Sequence, residues 1–133
     1  MADSMDFELL TPDRRLVQCA VEEVEVPGTE GDFTALPGHM PLITALRPGT
    51  LRIRTDGSES REFVLSGGYV EISASSATVL AEQAVGKAEV TRERLDAWVS
   101  DAQQGAEGKI GVEKDRADKY LNDMLALSRS SGN

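Results

Sequence analysis

The sequence is poor in the residue types from which many sites are built, with one cysteine, one histidine and only 5% aromatic residues. A single cysteine, Cys19, permits no internal disulfide, which is typical of a reducing compartment. One cysteine and one histidine cannot form a metal site with paired ligands of these types. The low aromatic content argues against a surface that binds ligands by ring stacking.

Positive charge is also scarce, because 14 Lys and Arg residues stand against 23 Asp and Glu residues, a net charge of −9. This balance disfavours nucleic acids and anionic membrane surfaces as partners. No stretch approaches the roughly 18 apolar residues of a membrane-spanning helix. The acidic start, residues 1–6, lacks the basic region of a signal peptide. We therefore expect a soluble intracellular protein.

Proline and charge divide the chain near residues 84–90. All five prolines lie before residue 49, and residues 1–86 carry 14 acidic and 6 basic side chains. Residues 87–133 contain no proline and are nearly balanced, with 9 acidic and 8 basic side chains. Dense proline punctuation is incompatible with long helices and natural in a β unit. We predict an N-terminal β domain, residues 1–86, and a C-terminal helix-loop-helix, residues 87–133.

Apolar and polar residues alternate in the first part. Val24 and Val26 are interleaved with glutamates, and Leu51 and Ile53 with arginines, as in strands with one buried face. Asp56-Gly57 follows the second run and is typical of a tight hairpin turn. Many short strands separated by turns predict a β-sandwich or barrel.

The second part has helical periodicity. Thr91 is the predicted N-cap of a first helix. Residues 104–111 contain three glycines and predict a loop, and a second helix is expected over about residues 112–127. The apolar stripes of the two helices consist of Leu95, Trp98, Val99 and Ala102, then Ala117, Tyr120, Leu121, Met124 and Leu125. Such short helices need packing partners, so we predict a helical hairpin.

No catalytic constellation is evident, and we predict no enzyme activity, cofactor or metal site. The sequence lacks a phosphate-binding glycine loop, and Ser66-Gly67-Gly68 is not a nucleophile elbow. Cys19 and His39 could form a nucleophile and base, but a lone cysteine in an apolar strand is more often core packing.

One loop-rich segment, residues 26–42, has an unusual order of turns and polar residues. It contains Glu30-Gly31-Asp32 and Pro37-Gly38-His39-x-Pro41-Leu42, and it closely resembles the epsilon subunit of bacterial and chloroplast-type ATP synthases, equivalent to the mitochondrial delta subunit. The resemblance continues through residues 46–53, 65–72 and 79–82.

The resemblance implies a ten-stranded β-sandwich followed by a helical hairpin. It also implies a non-catalytic rotor subunit of the central stalk, which links the gamma subunit to the membrane-embedded c ring. The C-terminal helices of many members inhibit ATP hydrolysis by contacting the alpha and beta subunits. The implied location is peripheral, at the cytoplasmic face of a bacterial inner membrane, with a plastid protein as the alternative.

Several site residues follow from the resemblance. Asp32 and His39 stand where the family contacts the c ring, and Thr44 stands at a position near the gamma subunit. Basic side chains of the second helix are candidates for contacts with the catalytic head. They are Lys114, Arg116 and Lys119.

The family's nucleotide motif is degenerate in this chain. Val90 and Arg94 match it, but Thr91 replaces its aspartate and Leu95 replaces its alanine. We therefore expect no nucleotide site. The alternative to a stalk subunit is a stand-alone ligand-binding β-sandwich, which would migrate as a free monomer instead of with a large ATPase.

Overall fold

The computed structural model describes residues 4–55, 57 and 59–131. Within these residues, strands precede a short 3₁₀ turn, Lys87–Glu89, and two helices. The predicted turn at Asp56-Gly57 lies partly outside the described residues, since Asp56 is not among them. The strands are β1 (Met5–Leu10), β2 (Arg15–Val21), β3 (Glu23–Gly28), β4 (Gly31–Ala35), β5 (Leu42–Leu46), β6 (Gly49–Arg54), β7 (Ser60–Leu65), β8 (Gly68–Ile72), β9 (Ser76–Ala81) and β10 (Ala84–Gly86); the helices are α1 (Arg92–Ala106) and α2 (Gly111–Ser131).

The strands form two layers that face each other. One layer has the order β10-β7-β6-β3, with β4 beside β3, and the other has the order β5-β8-β9-β1-β2. In the part of the chain that the structure describes, β3 and β5 join the layers through the register pair Gly28 with Leu46. The β1–β9 pair is parallel, and the other described pairs are antiparallel. The predicted ten-stranded sandwich followed by a helical pair is confirmed.

Alternation along the strands builds the core between the layers. Phe7 and Leu9 of β1 are fully buried, as are Leu51 and Ile53 of β6 from the other layer. Cys19 is half-buried and packs against this core, as expected for a structural cysteine. Burial of these side chains is the main favourable term for the sandwich.

The helices cover the outer side of β7 and β10. Val64 is completely buried although its neighbours Phe63 and Leu65 point into the sandwich, because Val64 packs against the helices. The predicted stripe of α1 is confirmed, with Leu95, Trp98 and Ala102 buried. The predicted cap is also present, since the Thr91 side chain accepts a hydrogen bond from the Arg94 backbone N–H at 3.1 Å.

The second helix is longer than predicted. α2 begins at Gly111 and continues to Ser131, so its 21 residues span about 31 Å instead of the 24 Å or so expected for residues 112–127. The physical reason is a contact with α1. Arg92 donates to the Ser128 hydroxyl at 2.6 Å and to its carbonyl at 2.9 Å. This contact holds the last turns of α2 against α1. From their polar sequence alone, these turns were expected to lie beyond the end of the helix.

Candidate functional site

Asp32 lies on β4, beside the turn that connects β3 with β4, and its side chain is 72% exposed. It forms an ion pair with Arg47, the residue that follows β5. Arg47 is itself attached to the end of β3. Its Nη1 donates to the Gly28 carbonyl at 2.5 Å, and its backbone N–H donates to the Pro27 carbonyl at 3.0 Å. The carboxylate is therefore displayed at one end of the sandwich in a defined position.

His39 lies in the loop between β4 and β5 and is half-buried. Its Nδ1 is 2.6 Å from the Met40 carbonyl, and its ring centroid is 6.3 Å from that of Phe33. Asp32 and Phe33 are adjacent in a strand, so their side chains project to opposite sides. Within the described part of the chain, no hydrogen bond joins His39 to Asp32. The two predicted residues therefore share a region without forming one cluster.

Thr44 occupies an inward position of β5. It is half-buried and lies opposite Val70, which is fully buried in the sandwich core. The neighbouring Ile43 and Ala45 point outward, and Ile43 is 69% exposed. The accessible apolar surface near Thr44 therefore belongs to its neighbours Ile43 and Ala45, and the exposed Glu71 lies opposite Ile43.

This surface extends across four strands as a row of directly opposed side chains, which we call the apolar row. Ala45 pairs with Tyr69, Tyr69 pairs with Leu80, and Leu80 pairs with Leu10. Tyr69 and Leu80 are 60% and 54% exposed. The row lines an open cleft of about 460 Å³, which Tyr120 of α2 borders on one side. The row was not predicted from the sequence, although Tyr69 and Leu80 stand at outward positions beside the buried Val70 and Val79.

Next to the apolar patch that the helices cover, the outer side of the other layer carries charged side chains that pair with one another. Arg52 of β6 forms an ion pair with Glu25 of β3 and lies opposite Glu62 of β7. Lys87 extends the series, with its Nζ 3.7 Å from the Glu62 carboxylate. Alternating charges on neighbouring strands satisfy one another, whereas the apolar row exposes large side chains to water. A clustered apolar surface is typical of a protein–protein contact.

Tyr120 connects α2 to the sandwich. Its hydroxyl donates a hydrogen bond to the Ser66 carbonyl at 2.8 Å. Partial burial, together with the negative charge of Glu82, raises the pKa of Tyr120 above its ordinary value. The neutral hydroxyl is thus the form that the folded chain favours.

The residues at the positions of the nucleotide motif pack within the helix cluster or take part in the cap of α1. Val90 is half-buried against the helix cluster. Leu95, at the motif's alanine position, is completely buried in the same cluster. The Arg94 side chain is exposed, while its backbone N–H is used by the cap.

The three basic candidates of α2 are exposed, but two of them have partners on the same helix. The Lys114 and Lys119 ammonium groups lie 2.6 Å from Asp118 and 3.0 Å from Asp123. The hydrogen bond and charge of Asp118 raise the pKa of Lys114. Arg116 faces a groove between the helices together with Asp101 and Glu113.

None of the described helices combines the length and apolar character needed to cross a bilayer. In the same residues, no three His, Cys, Asp or Glu side chains are grouped as metal ligands would be.

Residues 4–87 match a family model described as "ATP synthase, Delta/Epsilon chain, beta-sandwich domain". ATP synthase epsilon chain 1 of Cereibacter sphaeroides is 46% identical over 132 residues, covering 99% of both chains. The epsilon chain of Rhodobacter capsulatus is 42% identical over 127 residues, covering 96% of both.

Solved structures show the same fold at low sequence identity. A chain of the Euglena gracilis mitochondrial ATP synthase, in an assembly of OSCP, F1 and c ring, superposes with a TM-score of 0.73 and 20% identity. The match covers 98% of this chain and 82% of that one. A chain of the Tetrahymena thermophila mitochondrial ATP synthase, from its central stalk and c ring, gives a TM-score of 0.68 and 18% identity, with coverage of 95% and 94%.

Proposed function

Because this chain belongs to the ATP synthase delta/epsilon family, we propose that it is a non-catalytic subunit of the rotating central stalk of a proton-translocating ATP synthase. The observation that carries this proposal is the similarity to epsilon chains along nearly the full length of both proteins. In this role the subunit links gamma to the c ring and couples proton flow to ATP synthesis. It associates with the cytoplasmic face of the inner membrane only through the complex.

We assign the gamma contact to the surface around Thr44. Thr44 points inward, so the contact consists of the adjacent Ile43 and the apolar row. Burial of large exposed side chains supplies the favourable energy of a stable interface. The charged outer side of β3, β6 and β7 has its charges paired within the chain, which makes it the less favourable docking surface.

We assign the c-ring contact to Asp32 and His39. Both lie in or beside turns that leave the strand pairing intact, and the Asp32 carboxylate is well exposed. A carboxylate and an imidazole suit polar loops that carry amide or basic groups, because such pairs give an interface its register and specificity.

The C-terminal helices are the candidate inhibitory element, with Lys114, Arg116 and Lys119 meeting acidic loops of the catalytic head. Their length supports this role, since α2 spans about 31 Å. Lys114 and Lys119 must exchange their partners on α2 for partners on the head. Arg116 is therefore the most available of the three.

The test replaces two residues of the apolar row, Tyr69→Ser with Leu80→Ser, and titrates the purified protein with the gamma subunit. Affinity should fall at least tenfold, because two exposed anchors of the interface are lost. Arg52→Gln, on the charged outer side, is the matched control and should bind normally. Unchanged affinity of the double variant, or an equal loss in the control, would contradict the assignment of gamma to the apolar row.

A further inference from the structure

Arg47 contacts three groups around the turn between β3 and β4. Its backbone N–H and its Nη1 are held by the carbonyls of Pro27 and Gly28, and its Nη2 pairs with Asp32. The Arg47 side chain is 27% exposed, whereas that of Asp32 is 72% exposed. The Gly28 carbonyl thus holds one nitrogen of the guanidinium, and the other terminal nitrogen holds the exposed carboxylate.

We infer that Arg47 is a positioning residue for the c-ring contact, which fixes the Asp32 carboxylate in the orientation that the ring loops recognise. This inference rests on the proposed function, in which Asp32 meets the ring. An arginine fork suits the task because it donates in fixed directions, which a lysine ammonium does not.

The geometry also defines what the partner offers. Arg47 pairs with Oδ1 of Asp32, and among the described residues no hydrogen bond uses Oδ2. The Asp32 side chain is 72% exposed, so its second carboxylate oxygen can accept a further hydrogen bond, and the matching group on the ring is a donor such as an amide or a basic side chain.

A purely structural role explains the pair less well. An exposed ion pair contributes little to folding stability, because its charges are already well solvated. Holding an otherwise mobile side chain in its bound conformation does matter for association, because the ordering cost is then met before binding. The expected consequence of losing Arg47 is weaker docking with an unchanged fold.

The experiment measures rebinding of the catalytic head to inverted membrane vesicles stripped of it, using heads assembled with each variant of the full chain. Rebound ATPase activity gives the concentration for half-maximal attachment. Asp32→Ala should raise that concentration roughly tenfold, as for loss of a charged hydrogen bond. Arg47→Gln should raise it about two- to tenfold. Arg47→Lys should fall between Arg47→Gln and the unmodified chain.

The double variant Asp32→Ala, Arg47→Gln should attach no more weakly than Asp32→Ala alone, because Arg47 acts through Asp32. Arg52→Gln removes another exposed ion pair of the sandwich and should attach normally. Melting temperatures of the isolated chains should agree throughout, and a drop confined to the Arg47 variants would make the residue structural and overturn the inference.

The remaining outcomes separate the inference from the proposed function. Weak attachment of Asp32→Ala with normal attachment of Arg47→Gln overturns the positioning role and keeps the c-ring contact. If the double variant raises the concentration for half-maximal attachment by the product of the two single effects, the positioning role is also overturned, since Arg47 would then bind the ring itself. Normal attachment of Asp32→Ala refutes the contact, and with it the inference.

Discussion

The sandwich and the helical hairpin bury their apolar side chains in different ways. The core between the two layers is made by strand residues alone, from Met5 to Ala81. The helix cluster is shared, because Val64 and Val85 of the sandwich belong to it together with Leu95 and Trp98. Among the described residues, the buried core between the layers thus contains no helix residue, whereas the helix cluster includes side chains of β7 and β10.

This asymmetry can be measured with a natural probe. Trp98 is the single tryptophan of the chain and is 4% exposed within the helix cluster. Its fluorescence follows hairpin docking, while hydrogen exchange of peptides from β1 and from α1 reports each region separately.

The largest effect is expected from Phe7→Ala, which removes a fully buried ring from β1 in the sandwich core. The free energy of unfolding should fall by about 3–5 kcal/mol. Exchange should accelerate in both regions, because a hairpin without its platform cannot remain docked. Asp6→Asn on the same strand points outward and serves as the control. Protection that persists in α1 while β1 exchanges freely would show that the hairpin stays folded without an intact sandwich.

Leu95→Ala should affect the hairpin alone. Leu95 is fully buried in the helix cluster and has no part in the sandwich core. We expect undocking to become easier by about 2–4 kcal/mol, seen as exposure of Trp98 and faster exchange in α1. Peptides from β1 should keep their protection. Acceleration of β1 by the same factor would mean that the two regions unfold as one unit.

The sequence predicted the parts of this arrangement that depend on local periodicity. Alternation identified Val24, Val26, Leu51 and Ile53 as inward residues, because each strand displays its own pattern. The apolar row requires the pairing of β5 with β8 and of β1 with β9, which are distant in sequence, so no single segment reveals it.

Long-range polar contacts were hidden for the same reason. Arg92 reaches Ser128 across 36 positions, and Arg47 reaches Asp32 across 15. The end of α2 and the orientation of the Asp32 carboxylate both depend on such contacts. Residue types and spacing could therefore nominate Asp32 without indicating what holds it.

Truncation after Gly86 tests the independence of residues 1–86, which remains a prediction. The fragment should fold cooperatively into a β-rich structure and still bind gamma, because it retains the whole sandwich core. We expect it to be less stable by about 1.5–3 kcal/mol, the value of leaving Val64 uncovered. Circular dichroism during thermal unfolding measures this, and adding Val64→Thr should improve solubility. A molten or insoluble fragment would show that the sandwich depends on its hairpin.

The smallest effect concerns the polar link between the two regions, the hydrogen bond from Tyr120 to the Ser66 carbonyl. Tyr120→Phe should weaken docking by only about 0.5–1 kcal/mol at neutral pH, because water in the open cleft can replace the hydroxyl. The pH dependence is more diagnostic. Burial and the nearby Glu82 raise the pKa of Tyr120, so the folded chain holds this proton more tightly than the unfolded chain does.

The stabilisation from that proton is complete below the unfolded pKa of Tyr120, near 10.0, and is lost as the pH rises through the higher folded value. Trp98 fluorescence in urea should therefore show docking that weakens above about pH 10, more steeply in the unmodified chain than in Tyr120→Phe. Tyr69→Phe removes the other tyrosine hydroxyl, which is exposed on the apolar row, and should retain the full alkaline loss. An equal dependence of docking on pH in the unmodified chain and in Tyr120→Phe would show that the alkaline release of the hairpin has another origin. Near Tyr120 and Ser66, only apolar packing would then join the two regions.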